Sequence, residues 1–491
     1  MTLSDVFKFK NQQTKMLHLA WIAFFVSFFT WFNMAPLATT MIETTDFLTA
    51  DHLAALAIVN VALTIPARII VGKLLDKYGP RKVYAGLLII MSIPTFVFAF
   101  GTSFMQLLIA RLILSSIGAS FVVGIRMVSE WFPPRSVGMA EGIYGGWGNF
   151  GSAAGAMLLP WLSLTMFGGD NGWRYAVAFT GLVCLIYGII FYIFARDTPE
   201  GKEYKKPKKI AAMEVSSWGD MVLLILWTIP LYAALTLVAW RLQGTGMISD
   251  TLLYTAYALC VIFCIYQIYN IFKVNVPILK KGVPKDDRYK FRNVAALNST
   301  YFANFGAELA IISMLPMFFQ MMFSLSPAQA GLIASSFAFV NLIARPLGGW
   351  LSDRMNSRRN TMLIYMIGIS VGLVGMGMID SSWPLVLAVA MTIVTSMFIQ
   401  GAEGATFAVI PFVKQRITGQ IAGMSGAYGN VGSTVYLVLY TLVTPQQFFF
   451  ILAGGAFLSF ICCYFWLDEP EGSFANEYLE SSVDRSNQYS A

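Results

Sequence analysis

Two arginines lie inside long apolar segments of the sequence, where a charged side chain needs an explanation. Arg68 stands four residues before Gly72 and Arg345 stands four residues before Gly349, so the two occupy matching places in similar stretches. An arginine at the centre of a membrane-spanning helix costs about 2.5–3.5 kcal/mol on insertion scales. Because a guanidinium presents a planar fork of donors suited to an oxyanion, we expect the pair to converge on a small anion. The alternative is that each arginine pairs with a nearby carboxylate or carbonyl and only joins helices.

A stretch rich in glycine occurs twice, as GIYGGWGNFGS at 142–152 and as GMSGAYGNVGS at 423–433. Glycine costs about 1 kcal/mol relative to alanine inside a helix, so its recurrence at every third residue needs a reason. Small residues at this spacing let helix backbones approach closely in a membrane. Packing does not explain the matching Asn149 and Asn430, whose amides are candidate ligand contacts. The packing glycines are Gly142, Gly145, Gly148, Gly151, Gly423, Gly426, Gly429 and Gly432.

Two further arginines lie in apolar segments without a matching partner in the other half. Arg126 precedes Glu130 by four residues, which is the spacing of an ion pair along one helix. Arg111 is compatible with a place facing a cavity and with one near the membrane surface, and the sequence does not decide between them.

Membrane-spanning helices must position these residues. Of the 491 residues, 57% are hydrophobic and only 12% are charged, against about 25% charged in soluble domains. Apolar runs of about 18 or more residues, long enough to cross a bilayer, recur along the chain. We therefore expect an all-α polytopic membrane protein. The fourteen predicted helices lie near 17–40, 52–76, 82–101, 105–131, 138–166, 173–195, 219–240, 251–272, 293–322, 328–352, 361–379, 384–411, 419–443 and 447–467.

The charge distribution predicts the orientation of the chain. Of the basic residues in the loops, only Arg174 and Arg241 fall on the side opposite the N-terminus. Because positively charged loops stay in the cytoplasm, we expect both termini to be cytoplasmic. The net charge of +7 then faces anionic lipid headgroups, and it does not indicate a nucleic-acid partner.

The residues that usually carry catalysis or hold metals form no pattern here. The five cysteines fall in apolar runs without metal-ligand spacing, so we expect neither disulfides nor a metal site. We find no nucleophile–base set and no phosphate-binding loop, and we predict neither an enzyme nor a cofactor.

A loop motif occurs once in each part of the chain, as GKLLDKYGPRK at 72–82 and as GWLSDRMNSRR at 349–359. It combines an acid at a helix end, a turn and two cations, and it resembles the loop signature of the major facilitator superfamily. The second copy has Asn356 at the turn, a residue that also tolerates left-handed backbone angles. The residues of the motif are Gly72, Asp76, Gly79, Arg81, Asp353 and Arg354.

The duplication and the resemblance predict two pseudo-symmetric six-helix halves with an inserted pair of helices between them. The predicted units are an N-terminal tail at 1–16, a first half at 17–196, linkers with the inserted hairpin at 197–292, a second half at 293–467 and an acidic tail at 468–491. The hairpin has no counterpart in either half, and we expect it to lie outside the transport core.

The stretches GGWGNFGS and GAYGNVGS, together with Arg68 and Arg345, resemble the signature of the nitrate/nitrite porter family within that superfamily. The resemblance implies that Phe121, Tyr301 and Phe305 are aromatic residues of the substrate site. It implies a monomeric secondary transporter that moves nitrate, with nitrite as a second substrate, across the plasma (inner) membrane by alternating access. The alternatives are a nitrate-binding membrane sensor and a carrier for another small monovalent anion, such as a monocarboxylate.

The driving force for transport has two candidate explanations. An empty site with surplus positive charge that reorients slowly would favour nitrate/nitrite exchange. Proton symport instead needs a titrating acid, and Glu308 falls on the same helix face as Tyr301 and Phe305. A structural ion pair between Glu308 and an arginine is the competing interpretation.

Overall fold

The computed structural model describes residues 8, 10–207, 209–440 and 442–474, and every regular element within them is a helix. Residues 1–7, 9 and 475–491, which belong to the two predicted tails, and Lys208 of the first linker lie outside the described residues. The helices of the first half are α1 (Gln12–Trp31), α2 (Ala38–Glu43), α3 (Ala50–Val59), α4 (Thr64–Tyr78), α5 (Pro80–Phe100), α6 (Phe104–Leu114), α7 (Ser120–Trp131), α8 (Val137–Trp161) and α9 (Gly172–Phe194).

The inserted segment and the second half continue the helical pattern. The insert consists of α10 (Trp218–Leu226), α11 (Ile229–Gly244) and α12 (Asp250–Lys281). The second half consists of α13 (Phe291–Phe323), α14 (Pro327–Phe339), α15 (Asn341–Arg354), α16 (Arg358–Gly377), α17 (Leu385–Val413), α18 (Thr418–Tyr440) and α19 (Pro445–Trp466).

The predicted number of helical segments is confirmed. Thirteen helices or runs of consecutive helices in the described residues are long and apolar enough to cross a membrane. The fourteenth predicted span, α18, has 23 residues and is not among these thirteen. It is less apolar than the others because glycine and polar side chains replace aliphatic ones. The chain therefore has two six-helix halves and an inserted pair of spans.

Both arginines that the sequence singles out lie just after a break in a span. The span that contains Arg68 is interrupted between α3 and α4, and the span that contains Arg345 is interrupted at Val340, between α14 and α15. Each arginine lies in the second turn of the helix that follows its break. Broken spans place backbone groups and side chains at a ligand site in many transporters. The sequence did not predict these breaks.

The acid of the loop motif joins the two halves, and it does so twice. Asp76 at the end of α4 accepts hydrogen bonds from the amides of Gly419 and Gln420 at the start of α18, both at 2.9 Å. Asp353 at the end of α15 accepts equivalent bonds from Gly138, at 3.0 Å, and from Met139, at 2.8 Å, at the start of α8. A carboxylate at a helix N-terminus satisfies amides that have no partner within the helix.

The turns of the loop motif differ in sequence but both reach left-handed backbone angles. Gly79 has φ of 84° and Asn356 has φ of 53°, as the sequence predicted for the asparagine. A side chain on Gly79 would also collide with the carboxylate of Asp197. The Arg81 amide donates to that carboxylate at 2.7 Å. Burial nevertheless raises the pKa of Asp197 above its usual value.

The inserted hairpin lies beside the bundle and contacts both halves. The hydroxyl of Tyr428 on α18 donates to the carbonyl of Trp227, at the break between α10 and α11, at 2.5 Å. The Lys73 Nζ on α4 donates to Gln267 of α12 at 3.1 Å. The hairpin thus covers the side of the molecule where α4 of the first half meets α18 of the second.

Candidate functional site

Arg68 is buried between the two halves, and its guanidinium is held by backbone carbonyls. Its Nε donates to the carbonyl of Gly118 at 3.1 Å, and its Nη1 donates to the carbonyl of Gly426 on α18. Only 1% of the residue is exposed. No carboxylate among the described residues lies within ion-pair distance of Arg68, so its charge is not neutralised by a direct partner.

Arg345 occupies the matching place in the second half, but its partners are different. Its Nη2 donates to the Tyr301 hydroxyl at 3.1 Å and forms an ion pair with Glu403 of α17. Its Nη1 is buried and has no hydrogen-bond partner in the described part of the chain. The interpretation that an arginine pairs with a nearby acid therefore applies to Arg345 and not to Arg68.

Aromatic rings lie between the two guanidiniums. The Phe121 centroid is 5.8 Å from Cζ of Arg68 and 5.4 Å from Cζ of Arg345. Tyr301 stacks almost parallel to Phe121, with centroids 6.2 Å apart and an interplanar angle of 3°, and Phe305 continues the stack 5.0 Å further on. The structure thus brings five predicted site residues together on the line where the halves meet.

Four signature glycines allow each arginine helix to touch the opposite half. A methyl group on Gly142 of α8 would lie 2.5 Å from the Arg345 carbonyl oxygen, and one on Gly145 would lie 3.0 Å from the Arg345 Cδ. On α18, Gly423 packs in the same way against the Arg68 carbonyl, and a methyl group on Gly426 would lie 3.2 Å from the Arg68 Cδ. Both contacts depend on the absence of side chains.

The other four signature glycines face the first helix of their own half. Gly148 packs against the ring of Phe24 on α1, and a methyl group on Gly429 would lie 2.6 Å from the Tyr301 ring and 2.7 Å from the Phe305 ring. The last pair, Gly151 and Gly432, lies against the backbones of Phe25 and Phe302. On each of α8 and α18, two signature glycines therefore pack against the arginine helix of the opposite half, and two pack against the first helix of the same half.

The two signature asparagines lie one helical turn beyond the glycines that face the arginines. Asn149 follows Gly145 on α8, Asn430 follows Gly426 on α18, and both side chains are buried. In the described residues, the Asn149 Oδ1 and both amide atoms of Asn430 have no hydrogen-bond partner. Neither amide bonds an arginine directly in this part of the chain, so their role toward a substrate stays a prediction.

Glu403 is a residue of this site that the sequence motifs did not single out. The residue is completely buried on α17, and its carboxylate lies beside both Arg345 and Glu308. The signal was present in the sequence, because a glutamate inside the apolar segment 384–411 is as unusual as the arginines that were noticed. Phe407, one turn further along α17, was missed as well, and its ring meets Phe121 edge-on at 4.5 Å.

Glu308 lies beside the site without pairing directly with an arginine. Its Oε1 accepts hydrogen bonds from the Asn341 Nδ2 at 2.9 Å and from the Gln400 Nε2 at 3.5 Å. Its Oε2 has no hydrogen-bond partner in the described residues. Glu308 is therefore neither a fully free acid nor the direct partner of an arginine in the described part of the chain.

The other two arginines lie outside this site. The predicted pair of Arg126 and Glu130 is confirmed at 2.9 Å. Arg111 is buried within the first half, where it donates to the Asn33 side chain at 2.8 Å and to the Trp31 carbonyl at 2.5 Å. It faces neither the surface nor the pair of Arg68 and Arg345.

The arrangement suits an anion better than any metal. Within the described residues, no group of three or more histidine, cysteine or acidic side chains could hold a metal ion. Two guanidiniums and one directly paired carboxylate leave surplus positive charge in a buried place. Parallel rings next to planar guanidiniums favour a small flat ligand.

Comparison with known proteins identifies the family. The model of the Major Facilitator Superfamily matches residues 20–283 and 297–484. The nitrate/nitrite transporter NrtP of Picosynechococcus sp. is 44% identical, over 98% of this chain and 97% of that protein. NrtP of Nostoc punctiforme is 43% identical over 97% and 96%. The high-affinity nitrate transporter 2.3 of Oryza sativa subsp. japonica is 29% identical over 88% and 72%.

Solved structures show the same fold. The human organic anion transporter MFSD10 matches with a TM-score of 0.62 and 14% identity, over 92% of this chain and all of that one. The proton:xylose symporter XylE matches with a TM-score of 0.59 and 14% identity, over 94% and 98%. The family model and the full-length likeness to NrtP show that the chain belongs to the Major Facilitator Superfamily, in its nitrate/nitrite porter branch.

Proposed function

We propose that this protein is a secondary transporter that carries nitrate, and nitrite as a second substrate, across the plasma membrane by alternating access. The observation that carries the proposal is the convergence of Arg68 and Arg345 on one stack of aromatic rings. Two relatives that match it over nearly the full length are named as nitrate/nitrite transporters.

The chemistry of the site fits a flat monovalent anion. Guanidinium forks bond the edges of a planar oxyanion, while the rings of Phe121, Tyr301 and Phe305 border its faces. The buried place excludes water and strengthens the attraction between charges. The partnerless Arg345 Nη1 and the Asn430 amide supply donors that the described protein groups do not use. Phosphate or sulfate would bring more charge and a tetrahedral shape.

Alternating access requires the contacts at one end of the molecule to open. At the end where α1 begins and α19 ends, Asp76 and Asp353 join the halves. Arg126 also donates to the Gln415 carbonyl, and Arg358 donates to the Pro134 carbonyl at 2.7 Å. We assign this end to the cytoplasm by the positive-inside rule. Release of substrate into the cytoplasm then requires these bonds to break.

The transporting unit is a single chain in this proposal. The residues that surround the site come from α4, α7 and α8 of the first half and from α13, α15, α17 and α18 of the second. Because one chain supplies both faces of the site, a monomer is sufficient for transport.

Replacing each arginine by lysine tests the proposal. Purified wild type, Arg68→Lys and Arg345→Lys are reconstituted in proteoliposomes that contain nitrite, and the uptake of labelled nitrate is measured. Lysine keeps the charge but loses the fork, and hydrogen bonds to charged groups contribute about 1.5–3 kcal/mol. We therefore expect uptake by both variants to fall by at least ~10-fold, since ~1.4 kcal/mol corresponds to a factor of ten.

Arg241→Lys on the inserted hairpin is the matched control, because it makes the same exchange away from the site, and it should transport like wild type. Labelled nitrate uptake in the presence of formate and of chlorate separates nitrate from other small anions as the preferred substrate. Normal nitrate uptake by both site variants would refute the proposed function.

A further inference from the structure

Two buried carboxyl groups lie next to each other at the edge of the arginine site. Glu308 is on α13 and Glu403 is on α17, with 3% and 0% of each residue exposed. Gln400, one turn before Glu403 on α17, donates to Glu308 at 3.5 Å, and the two carboxyl groups interact electrostatically. On the far side of the pair, Arg345 forms an ion pair with Glu403. The order in space is therefore Glu308, Glu403, Arg345.

The surroundings compensate only one negative charge on this pair. From α15, Arg345 contacts Glu403 directly, and from α4, Arg68 acts on it at longer range. The remaining titratable neighbour in the described residues is Tyr301 of α13, and Asn341 and Gln400 are neutral amides. Two adjacent buried carboxylates repel each other, and a proton shared between them removes the repulsion.

The hydrogen bonds indicate where that proton lies. Both amide donors reach the same oxygen of Glu308, its Oε1, while its Oε2 has no partner among the described groups. An oxygen that accepts two N–H bonds is satisfied without a proton. The open oxygen is the one that remains for a proton shared with Glu403.

We propose that Glu308 and Glu403 form the proton-binding site of this transporter, and that protonation of Glu403 releases Arg345 to bind the anion. This inference rests on the proposed function and specifies its driving force as proton symport. A proton adds to the Glu403 carboxylate, the ion pair with Arg345 breaks, and an oxygen of the anion takes the vacated Nη2. No covalent bond other than the new O–H bond forms or breaks.

The charge of the site explains why the proton and the anion move together. With one proton on the carboxyl pair, two guanidiniums and one carboxylate give the empty site a charge of +1. The addition of one proton and one monovalent anion leaves that charge unchanged, whereas a proton alone raises it to +2. A buried surplus charge is costly, so the site gains its proton and its anion together.

The test separates exchange from proton-driven uptake in the same proteoliposomes. Wild type, Glu403→Gln and Glu308→Gln are compared in two assays. The first measures exchange of labelled nitrate against internal nitrate at equal pH. The second measures uptake into anion-free vesicles driven by an imposed inward proton gradient. Because glutamine resembles the protonated carboxyl group, we expect both variants to keep exchange and to lose gradient-driven uptake.

The pH dependence of exchange gives an independent readout. In wild type, the apparent affinity for nitrate should rise as the pH falls, because each proton frees Arg345. In Glu403→Gln this dependence should flatten. Glu141→Gln is the matched control, since Glu141 is a buried carboxyl group on α8 with no hydrogen-bond partner among the described residues. This variant should keep the proton dependence of wild type.

The remaining outcomes overturn either the proton site or the proposed function. Wild-type exchange without gradient-driven uptake would overturn the proton site and leave the proposed function intact. Gradient-driven uptake that persists in both glutamine variants would also overturn it. Loss of both assays in folded glutamine variants would assign the pair to holding the site together and would again overturn it. Absence of nitrate exchange by wild type would instead refute the proposed function.

Discussion

The two arginine environments are alike in backbone and different in charge. Arg68 and Arg345 both follow a helix break, and both pack against a glycine-lined helix of the opposite half. Arg68 donates to two carbonyls, whereas Arg345 is paired with Glu403 and with the Tyr301 hydroxyl. The repeated part of the fold thus positions two guanidinium groups. Glu403, which has no counterpart beside Arg68 in the described residues, neutralises the charge of Arg345 alone.

The second difference lies outside the site. The inserted hairpin bridges α4 and α18 on the Arg68 side through Lys73, Gln267, Trp227 and Tyr428. Among the described residues, the insert has no counterpart over α8 and α15 on the Arg345 side. The Arg68 side of the molecule therefore has stabilising contacts with the hairpin that the Arg345 side lacks within the described part of the chain.

The largest expected effect comes from removing each charge in turn. Arg345→Gln leaves the buried Glu403 without its cation, and breaking a buried pair in this way costs roughly 3–5 kcal/mol. Arg68→Gln leaves only carbonyls without a donor, at about 1–3 kcal/mol. We expect the thermal midpoint of the detergent-solubilised protein at neutral pH to fall more for Arg345→Gln than for Arg68→Gln.

The double variant Arg345→Gln/Glu403→Gln is the control for this prediction. It removes the orphaned carboxylate, so it should recover most of the lost stability without recovering nitrate uptake. Equal destabilisation by the two single variants, or a double variant no more stable than Arg345→Gln, would mean that the two arginine environments are electrostatically equivalent.

The next prediction concerns the glycine contacts, in which the two arginine environments match. Gly142→Ala and Gly423→Ala each place a methyl group against the carbonyl of the opposite arginine, and overpacking of this kind costs about 1–3 kcal/mol. Because the contacts match, we expect similar losses of nitrate uptake in the two variants, of roughly tenfold for each ~1.4 kcal/mol. Uptake and monodispersity are measured together to separate transport from folding.

Gly454→Ala on α19 is the control for the glycine variants, because a methyl group there has no atom within 4 Å. It should change neither property. A loss confined to one of the two site variants would show that only one of the matched contacts moves during transport.

The sequence predicted the parts of this molecule that follow from repetition and composition. Apolar length gives the spans, and the repeat pairs Arg68 with Arg345 and Gly142 with Gly423. The sequence could not predict that Glu403 meets Arg345, because that contact joins residues 58 positions apart on different helices. The helix breaks before Arg68 and Arg345 were also missed, although Pro66, three residues after Leu63, is a helix-breaking residue that could have signalled the first break.

The smallest expected effect concerns the contact between the inserted hairpin and α18. Tyr428 is almost fully buried, its ring lies 4.9 Å from that of Trp227, and its hydroxyl satisfies the Trp227 carbonyl at the helix break. Tyr428→Phe removes that hydrogen bond alone, a change of about 0.5–1.5 kcal/mol. We expect a small drop in thermal midpoint and unchanged nitrate uptake, because the hydroxyl points to the hairpin and not to the arginines.

Tyr436→Phe is the matched control on the same helix, since the Tyr436 hydroxyl is buried without a hydrogen-bond partner in the described residues. Its removal leaves no acceptor unsatisfied, so the thermal midpoint should stay at or above that of wild type. If Tyr428→Phe behaves like Tyr436→Phe, the hairpin does not stabilise α18 through this bond. If Tyr428→Phe instead reduces uptake without lowering the midpoint, the insert acts on the motion of α18, and the difference between the two sides of the molecule is functional.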